Sequence, residues 1–549
     1  MSYENFLTSV YFGRLNKAVF KNFQDLQADD RTQEIIDKYF DLSRQYPAHY
    51  FEEKGVLSKE ILRKLGEIEF FGLNIPTSYG GAGLSLQQYL KVIEETTPQS
   101  MALGFTALAH LSIGIKGIAL FGSKEQKKKY LVPAAAGEMI FAYALTEAKK
   151  GSDAQNIETT AVLSEDGQNY ILNGQKSYIT NANYAGAMTV FAQMDPARPG
   201  FMGAFIVETS WDGVKIGKDV SKMGLKASST AAVQFKNVRI PKENLLGKPG
   251  DGFKIAMVIL NYGRLALGAA SSGMMKQSLK DMVKRSSRRT QFGVPINHFE
   301  LVQEMMVKAK VNSYVTSAMT AFAAGMLEEN PLAPVAAESS HCKLFGTNRA
   351  WDTLYDALQV AGGSGYLSTQ PYEKRMRDFR VTTIFEGTTE IHSIYPALFM
   401  MRNLKKHLLT KHTGKFSQMV FLIKEIFRGT IWDIKFSPKE MKQAAQVANS
   451  IAKSIRFNII TGFLFYGEKV LQRQFFLRRI TYLSLYFFGI LSMLARIESI
   501  RKAGGRVAED LKLLAFFVEE ARQYRRQNKR LFSYKKELIH KKIFKDAFP

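Results

Sequence analysis

The spacing of apolar residues divides the chain into helical, strand-forming and again helical parts. Residues 1–140 have apolar positions three and four residues apart, as in SKEILRKLGEIEFFGL, which is typical of amphipathic helices. From about Met139, stretches such as AVLSEDGQNYILNGQKSYITNA and AMTVFAQM alternate apolar and polar residues and contain DG and NG turns. This pattern predicts a meander of short antiparallel strands. Helical spacing returns at residue 251, so we predict an α+β fold that is mainly α.

The composition is that of a globular protein long enough for several domains. The 549 residues are 46% hydrophobic and 23% charged, without a low-complexity tract, so disorder is not expected. We predict an N-terminal helical domain over residues 1–140, a β domain over 141–250, a helical domain over 251–403 and an appended basic helical domain over 404–549. The single cysteine, Cys342, has no partner and is expected to be an inert packed thiol. No metal site is expected.

Positive charge is concentrated in the last part of the chain. Residues 401–549 contain 31 Lys plus Arg and 11 Asp plus Glu, and so contribute +20 of the formal +25. Within them, residues 480–495 form a run of 16 without a charge. A membrane span needs about 20 such residues, so we predict a buried helix of an added bundle. The basic helices around it are compatible with a solvated face, an anionic membrane surface or nucleic acid.

One acidic residue lies in an apolar setting. In RVTTIFEGTTEIHSI, residues 380–394, Glu386 follows Ile384 and Phe385, precedes Gly387, and has no Lys or Arg within five positions on either side. No neighbour in sequence therefore stabilises its charge. A carboxylate at such a position needs a functional reason.

Three glycines in VAGGSGYL do not form a dinucleotide fingerprint. That motif requires a preceding strand inside a βαβ unit, whereas DTLYDALQV, which precedes Gly362, Gly363 and Gly365, has helical spacing. The glycines are expected to let the backbone turn or approach another group closely.

Seven motifs occur in the order found in the flavin-dependent acyl-CoA dehydrogenases. They are YALTEAKKGSDAQ, GQKSYITNA, KMGLKASSTAAVQFKNVRIPKENLLG, LNYGRLALG, RRTQFG, LQVAGGSGY and IFEGTTEIH. The resemblance covers roughly residues 40–400, and the chain is most similar to the very-long-chain type, which carries an extra C-terminal helical domain. It implies an N-terminal helical domain, a central β-barrel and a C-terminal four-helix domain, followed by the appended domain.

The resemblance implies an activity, a cofactor and partners. Family members dehydrogenate acyl-CoA to trans-2-enoyl-CoA in fatty acid β-oxidation, with FAD between the barrel and the second helical domain and partly held by a neighbouring subunit. Electrons pass to an electron-transferring flavoprotein. We expect a long- or very-long-chain acyl-CoA substrate and a homodimer.

The resemblance also bears on the location and on other possible functions. It favours contact of the basic domain with an anionic membrane, either on the inner face of a bacterial membrane, with the protein cytoplasmic, or on the matrix side of the mitochondrial inner membrane. Nucleic acid is not an expected partner, because no reader motif is present. An acyl-CoA oxidase and a scaffold or assembly protein with a vestigial flavin site are the alternatives.

Glu386 matches the catalytic base of the family. Removing a proton from the carbon beside a thioester needs a base in a water-poor slot, where burial raises the pKa of a carboxyl group. Gly387 would let the substrate pass close to the backbone. Some members place their base on the helix that reads ILNYGRLAL here, but the matching position is Gly263, which cannot act as a base. In the family, the thioester oxygen is held by the backbone N–H of the base and by a hydroxyl of FAD.

The resemblance assigns further residues to the cofactor and to CoA. Ser152 and Arg264 match contacts near CoA. The groups that match the flavin ring, the pyrophosphate and the adenosine are Tyr143, Leu145, Thr146, Tyr178, Thr180, Arg289, Phe292, Gln359, Gly362, Gly363 and Thr388. The arginine suits a pyrophosphate because its fork donates paired hydrogen bonds.

Two features depart from the family pattern. Lys149 and Lys150 lie in the loop that borders the CoA entrance, where relatives usually have small residues or proline; they are expected either to attract CoA phosphates or to be solvated. Pro396 falls within the helix that follows IFEGTTEIH and should kink it or end its first segment.

Overall fold

The computed structural model describes residues 6–13, 20, 23–47, 49–411, 414–427, 429, 436–528 and 535–548. Helices and strands are numbered below in chain order within this part of the chain.

The N-terminal region is built from short helices. Ser85 and Ser123 each form a capping box at a helix start, with Gln88 and Gln126, which satisfies backbone donors that the helix leaves free. Residues Ala109–Gly114 form a π-helix between α6 and α7. The helices are α1 Phe6–Tyr11, α2 Asp30–Arg44, α3 Tyr50–Lys54, α4 Lys59–Glu67, α5 Leu86–Thr96, α6 Met101–Leu108, α7 Lys116–Phe121 and α8 Lys124–Ala135.

The middle region contains an eight-stranded sheet. Its strands are β1 Ile140–Ala144, β2 Thr160–Leu163, β3 Asn169–Thr180, β4 Ala185–Gln193, β5 Met202–Glu208, β6 Val214–Ile216, β7 Thr230–Pro241 and β8 Leu245–Leu246. The order is β6-β7-β3-β2-β4-β5-β8, with β1 paired to β4.

The sheet is mixed, so the expectation of a purely antiparallel meander is wrong. Strand β1 runs parallel to β4, with Tyr143 opposite Thr189, and β2 pairs parallel to β4 through Thr160 and Gln193. Parallel neighbours need a long connection, and the alternating pattern within each strand does not reveal it. The position of β1 matters because its end carries predicted flavin contacts.

Long helices follow the sheet. They are α9 Gly252–Arg288, α10 Glu300–Glu329, α11 Ala336–Ala361, α12 Pro371–Phe379 and α13 Thr389–Lys411, with a hairpin of β9 Thr290–Gln291 and β10 Val294–Pro295 between α9 and α10. The order of helices, sheet and helices confirms the predicted fold class. Cys342 in α11 is buried, and burial raises the pKa of its thiol, as expected of an inert thiol.

The appended helices pack onto α10, α11 and α13. They are α14 Lys415–Phe427, α15 Lys439–Tyr466, α16 Gln474–Lys502, α17 Ala508–Gln527 and α18 Lys535–Ala547. By length and composition, three segments of the described chain are able to cross a membrane, Met101–Phe121, Gly252–Arg288 and Gln474–Lys502. In α16, 94% of the apolar window is buried inside the protein, which confirms the predicted buried helix.

Pro396 does not end its helix. Helix α13 continues through it to Lys411. The N–H of Ala397, the next residue, donates to Thr481 Oγ1 of α16 at 3.4 Å. The junction between the four-helix region and the appended region is therefore a continuous helix supported from the appended side.

Candidate active site

Glu386 lies in a short strained link before helix α13. It follows the 3₁₀ turn Arg380–Thr383, its φ is 57°, and that of Gly387 is 95°. A left-handed conformation costs a non-glycine residue on the order of 1 kcal/mol. Surrounding contacts must therefore hold the carboxylate where it is.

The Glu386 carboxyl group is partly removed from water and poorly paired. Its Oε2 atom is buried and has no hydrogen-bond partner among the described residues. Burial raises the pKa of Glu386 to about 7, although the positive charges of Arg264 and Lys343 lower it in part. A base with a pKa near neutrality is well matched to proton removal at physiological pH.

The cations near Glu386 come from distant parts of the chain. Arg264 is on α9 and Lys343 is on α11. Both are buried. The sequence correctly shows no cation beside Glu386, but the fold supplies two. Lys343 was not predicted as a site residue, and it lies in an ordinary helical stretch whose local pattern carries no signal of this contact.

Gly263 faces the Glu386 carboxyl group. A Cβ atom built on it would lie 3.3 Å from Glu386 Oε2 and 2.9 Å from Ile113 Cγ2 of the π-helix. The two positions that the resemblance offers for a base are thus adjacent here. One is Glu386, and the other is a glycine packed closely against its carboxyl group.

Arg264 has few partners of its own. Its Nη1 lies 3.5 Å from Asn261 Oδ1, and its guanidinium is 5.7 Å from the centre of the Tyr395 ring. Its Nε has no partner among the described residues. The structure places Arg264 beside the base, and its contact with CoA stays a prediction.

The predicted flavin-ring residues lie on strands β1 and β3. Tyr143, near the end of β1, packs on Phe191 with ring centres 5.0 Å apart. Burial raises the pKa of Tyr143, and the Glu386 carboxylate adds to that effect. Tyr143 is therefore close enough to the base to sense its charge.

A buried ion pair holds the segment that follows β1. Lys176 Nζ donates to Leu145 O at 3.0 Å and to Glu147 Oε1 at 2.8 Å, and Ser177 N–H donates to Thr146 O at 2.9 Å. The carbonyl groups of Leu145 and Thr146, where flavin contacts are predicted, are therefore held in place by hydrogen bonds from β3. The Lys176–Glu147 pair was not predicted.

Strand β3 bulges next to this segment. Its register with β7 shifts between Lys176 and Ile179, and within the bulge Tyr178 has a φ of 60° and is 64% exposed. Pairing resumes at Ile179 opposite Ala231, and Thr180 lies opposite Thr230. Bulges often re-aim a side chain at a functional site, and here an aromatic ring is presented outward.

A second group of predicted FAD residues lies on the surface, at the far ends of α9 and α11. Arg285 Nη2 donates to Ala361 O at 3.2 Å, which ties these ends together. Phe292 at the hairpin tip is 94% exposed with a φ of 52°. The other members are also exposed: Arg289, Gln359, Gly362 and Gly363.

The surface glycines leave room for a ligand. Gly362 has a φ of 65° and ψ of −148°, a conformation open essentially to glycine alone. A Cβ built on Gly362 or Gly363 meets nothing within 4 Å, so packing within the chain does not require glycine at position 363. This fits a cofactor that passes close to the backbone.

The remaining predicted residues have local roles. Thr388 Oγ1 accepts from Ile391 N–H at 3.3 Å and caps α13. Ser152 is exposed. Lys150 pairs with Asp153 at 3.3 Å, whereas Lys149 is exposed. Among the described residues, no cluster of three or more His, Cys, Asp or Glu is arranged to hold a metal ion.

These features define a class of protein, an α+β fold of helices, a mixed sheet and helices with a carboxyl group of raised pKa between the second set of helices. Sequence models of the acyl-CoA dehydrogenase N-terminal, middle and C-terminal domains match residues 30–138, 142–238 and 250–395. A probable acyl-CoA dehydrogenase of Bacillus subtilis (strain 168) is 32% identical over 544 residues, 95% of this chain and 87% of that protein. The chain belongs to the acyl-CoA dehydrogenase family, as predicted.

Two further similarities bear on the subtype. The human mitochondrial very long-chain specific acyl-CoA dehydrogenase is 36% identical over 410 residues, 72% of this chain, and this chain spans 62% of its length. A solved Bacillus anthracis acyl-CoA dehydrogenase complexed with FAD has a TM-score of 0.81 at 28% identity, covering 94% of this chain and 90% of that chain. The two bacterial relatives therefore match the appended region as well as the shared domains.

Proposed function

We propose that the protein is an FAD-dependent acyl-CoA dehydrogenase that converts long- or very-long-chain acyl-CoA to trans-2-enoyl-CoA. The observation that carries this proposal is the Glu386 carboxyl group. It is buried at Oε2, has a pKa raised to about 7, and lies against Gly263, which has no side chain. The similarity to very-long-chain relatives supports the substrate class.

In the proposed reaction Glu386 takes the proton from the α-carbon of the thioester. The carboxylate must be ionised when the α C–H bond breaks, and it becomes protonated in that step. Bound FAD would supply the acceptor for the hydride that leaves the β-carbon. The double bond forms between the two carbons, so one proton and one hydride leave for each enoyl product.

The chain also offers a donor for the thioester oxygen. The N–H of Glu386 donates no hydrogen bond within the described residues, and a free backbone donor beside the base suits an oxygen that gains negative charge. Arg264 and Lys343 place positive charge near the same link. Their charges stabilise the ionised form of Glu386, which is the form that accepts the proton.

FAD is the cofactor that these residues fit. The flavin ring would be held by residues of β1, of the segment that follows it and of β3, namely Tyr143, Leu145, Thr146, Tyr178 and Thr180. The exposed group that includes Phe292 and Gly363 would hold the pyrophosphate and adenosine of an FAD shared with a second copy. We therefore propose a homodimer, which sedimentation velocity of the FAD-loaded protein tests directly.

Anaerobic titration with acyl-CoAs of graded chain length tests the activity. Loss of the oxidised flavin band with long-chain but not short-chain substrates is expected. The Glu386→Gln variant should bind the same ligands without bleaching. A flavin that no acyl-CoA reduces contradicts the proposal and favours the scaffold alternative.

The electron acceptor is proposed to be an electron-transferring flavoprotein. Reduced enzyme should reoxidise rapidly with such a flavoprotein and slowly in air. Rapid reoxidation in air with stoichiometric peroxide identifies an acyl-CoA oxidase instead.

We propose that the appended region binds an anionic membrane surface from the cytoplasmic or matrix side. Helix α18 has no buried residue, carries Lys541, Lys542 and Lys545, and exposes Ile543 and Phe544 beside them. Helix α14 exposes an apolar stripe of Phe416, Met419, Val420, Ile423 and Phe427. Cations interleaved with apolar side chains suit a membrane interface, at about 1 kcal/mol for each engaged Lys or Arg.

Co-sedimentation with vesicles tests this location. Binding to vesicles with anionic lipid, weakened by salt and absent with neutral lipid, is expected. Replacing Ile543 and Phe544 by Ser should weaken binding without changing flavin reduction by a soluble acyl-CoA. Equal binding of both proteins contradicts the proposed membrane face.

A further inference from the structure

The link that carries the base is held by two hydrogen bonds to its carbonyl groups. Lys343 Nζ donates to Gly387 O at 2.6 Å, and His392 Nε2 donates to Glu386 O at 2.9 Å. Lys343 and His392 are buried. The two carbonyls belong to the two residues with positive φ, so the bonds act on the strained part of the chain.

Helix α11 organises both of these bonds. Ser340 lies one turn before Lys343, and its Oγ is 2.6 Å from His392 Nδ1. Because a carbonyl only accepts, His392 Nε2 carries the hydrogen and Nδ1 accepts from the Ser340 hydroxyl. Burial lowers the pKa of His392 well below its usual value, and the charges of Arg264 and Lys343 lower it further. His392 is thus a neutral imidazole that links α11 to the backbone of Glu386 by two hydrogen bonds.

We propose that Lys343 is a positioning residue for Glu386: its ammonium group, together with His392, fixes the left-handed link and keeps the carboxylate aimed at the space in front of Gly263. This inference rests on the proposed function, since it takes Glu386 as the base. Lys343 does not touch the proposed substrate carbon. It acts through the Gly387 peptide and through its charge.

The charge of Lys343 has a second consequence for the base. Burial lowers the pKa of Lys343 to about 7, while the Glu386 carboxylate raises it in part. The charged and titratable groups that face this pair are Arg264 from α9, Glu390 and His392 from α13, and Tyr143 from β1. Removing the ammonium leaves Arg264 as the remaining cation, so the ionised form of Glu386 becomes less favourable.

Three variants separate hydrogen bonding from charge. Lys343→Met removes both, Lys343→Gln keeps an N–H donor without charge, and Lys343→Arg keeps both. Lys308→Met on α10 is the matched control, because that lysine pairs with Glu304 at the surface at 2.6 Å.

Two readouts are measured on the FAD-loaded proteins. Infrared difference spectra across pH follow the protonation of Glu386, identified by the carboxyl band that Glu386→Gln lacks. Stopped-flow absorbance follows flavin reduction by palmitoyl-CoA. In the unsubstituted protein the Glu386 band should titrate near pH 7, since its pKa is about 7.

Lys343→Met should move the Glu386 midpoint upward by about one pH unit and slow flavin reduction at neutral pH about tenfold. Lys343→Gln should recover part of the rate but not the midpoint, and Lys343→Arg should recover the midpoint. Lys308→Met should change neither. If Lys343→Met does not fold, the difference between Lys343→Gln and Lys343→Arg in the Glu386 midpoint and in the rate of flavin reduction tests the proposal.

An unchanged midpoint and rate in folded Lys343→Met, or in Lys343→Gln when the Met variant is lost, overturns the positioning role. A midpoint that shifts as expected, in a protein whose flavin no acyl-CoA reduces, supports the positioning role and rejects the proposed function. The two proposals therefore fail in different ways.

Discussion

Two carboxyl groups removed from water lie beside the same long helix, α9, and their surroundings differ. Glu386 faces Gly263, and burial raises its pKa to about 7 with Oε2 unpaired among the described residues. Glu94 is on α5, and its backbone lies against Gly273. Burial also acts on Glu94, but Lys276, Lys91 and Ser272 together lower its pKa to about 2.

The contacts explain the difference. Glu94 pairs with Lys276 at 2.7 Å and Lys91 at 3.2 Å, and it accepts from the Ser272 hydroxyl at 2.7 Å. No described residue offers Glu386 Oε2 such a contact. A paired buried charge joins helices, whereas an unpaired one costs stability and remains available for chemistry.

The largest expected effect separates the two carboxylates by function. Glu386→Gln should slow flavin reduction by about 10²–10⁴-fold, because general-base catalysis contributes at that scale. Glu94→Gln should keep the rate within about threefold, since a residue without a catalytic role has little effect on it. Stopped-flow reduction by palmitoyl-CoA measures both. Comparable losses of rate in the two variants would contradict a catalytic role that is specific to Glu386.

The pH dependence of stability should have opposite signs at the two sites. The pKa of Glu94 is lowered from 4.5 to about 2, so its stabilising contribution is present above pH 4.5 and is lost as pH falls toward 2. The pKa of Glu386 is raised from 4.5 to about 7, so its ionisation destabilises the fold as pH rises from 4.5 to 7. Each contribution is on the order of 3 kcal/mol.

Denaturant unfolding of matched variants tests these signs. Relative to the unsubstituted protein, Glu386→Gln should gain stability as pH rises from 5 to 8, and Glu94→Gln should lose its disadvantage as pH falls below 4.5. Differences that are constant with pH mean that neither carboxyl changes its pKa on folding.

Local pattern identified Glu386 but not the groups that act on it. The resemblance carried by IFEGTTEIH singled out Glu386 as the predicted base, and the order of apolar spacings correctly predicted the fold class and the buried helix α16. Lys343 and Arg264 reach Glu386 only because α9 and α11 pack side by side. The parallel pairing of β1 with β4 was missed for the same reason, since register within a strand says nothing about a distant neighbour.

The two glycines on α9 sharpen the comparison. A Cβ on Gly273 would lie 1.8 Å from Glu94 O, a backbone atom, whereas a Cβ on Gly263 would lie 2.9 Å from the tip of Ile113 and 3.3 Å from Glu386 Oε2. Gly273→Ala should cost about 3 kcal/mol, and Gly263→Ala about 1 kcal/mol. Thermal unfolding compares them. Gly263→Ala should also slow flavin reduction, because the methyl group fills the space before the base, and an unchanged rate contradicts that geometry.

The smallest expected effect concerns the cations around Glu94. Lys276 is 39% exposed, so water screens its pairing and Lys276→Met should cost only about 0.5–1 kcal/mol. Lys91→Met should cost more, because Lys91 is the less exposed partner and also pairs with Glu95 at 2.5 Å. Neither should change the rate of flavin reduction. In contrast, Lys343→Met should change the rate of flavin reduction more than the free energy of unfolding. The cations beside Glu94 and the cation beside Glu386 are thus distinguished by whether their removal changes mainly the stability or mainly the rate.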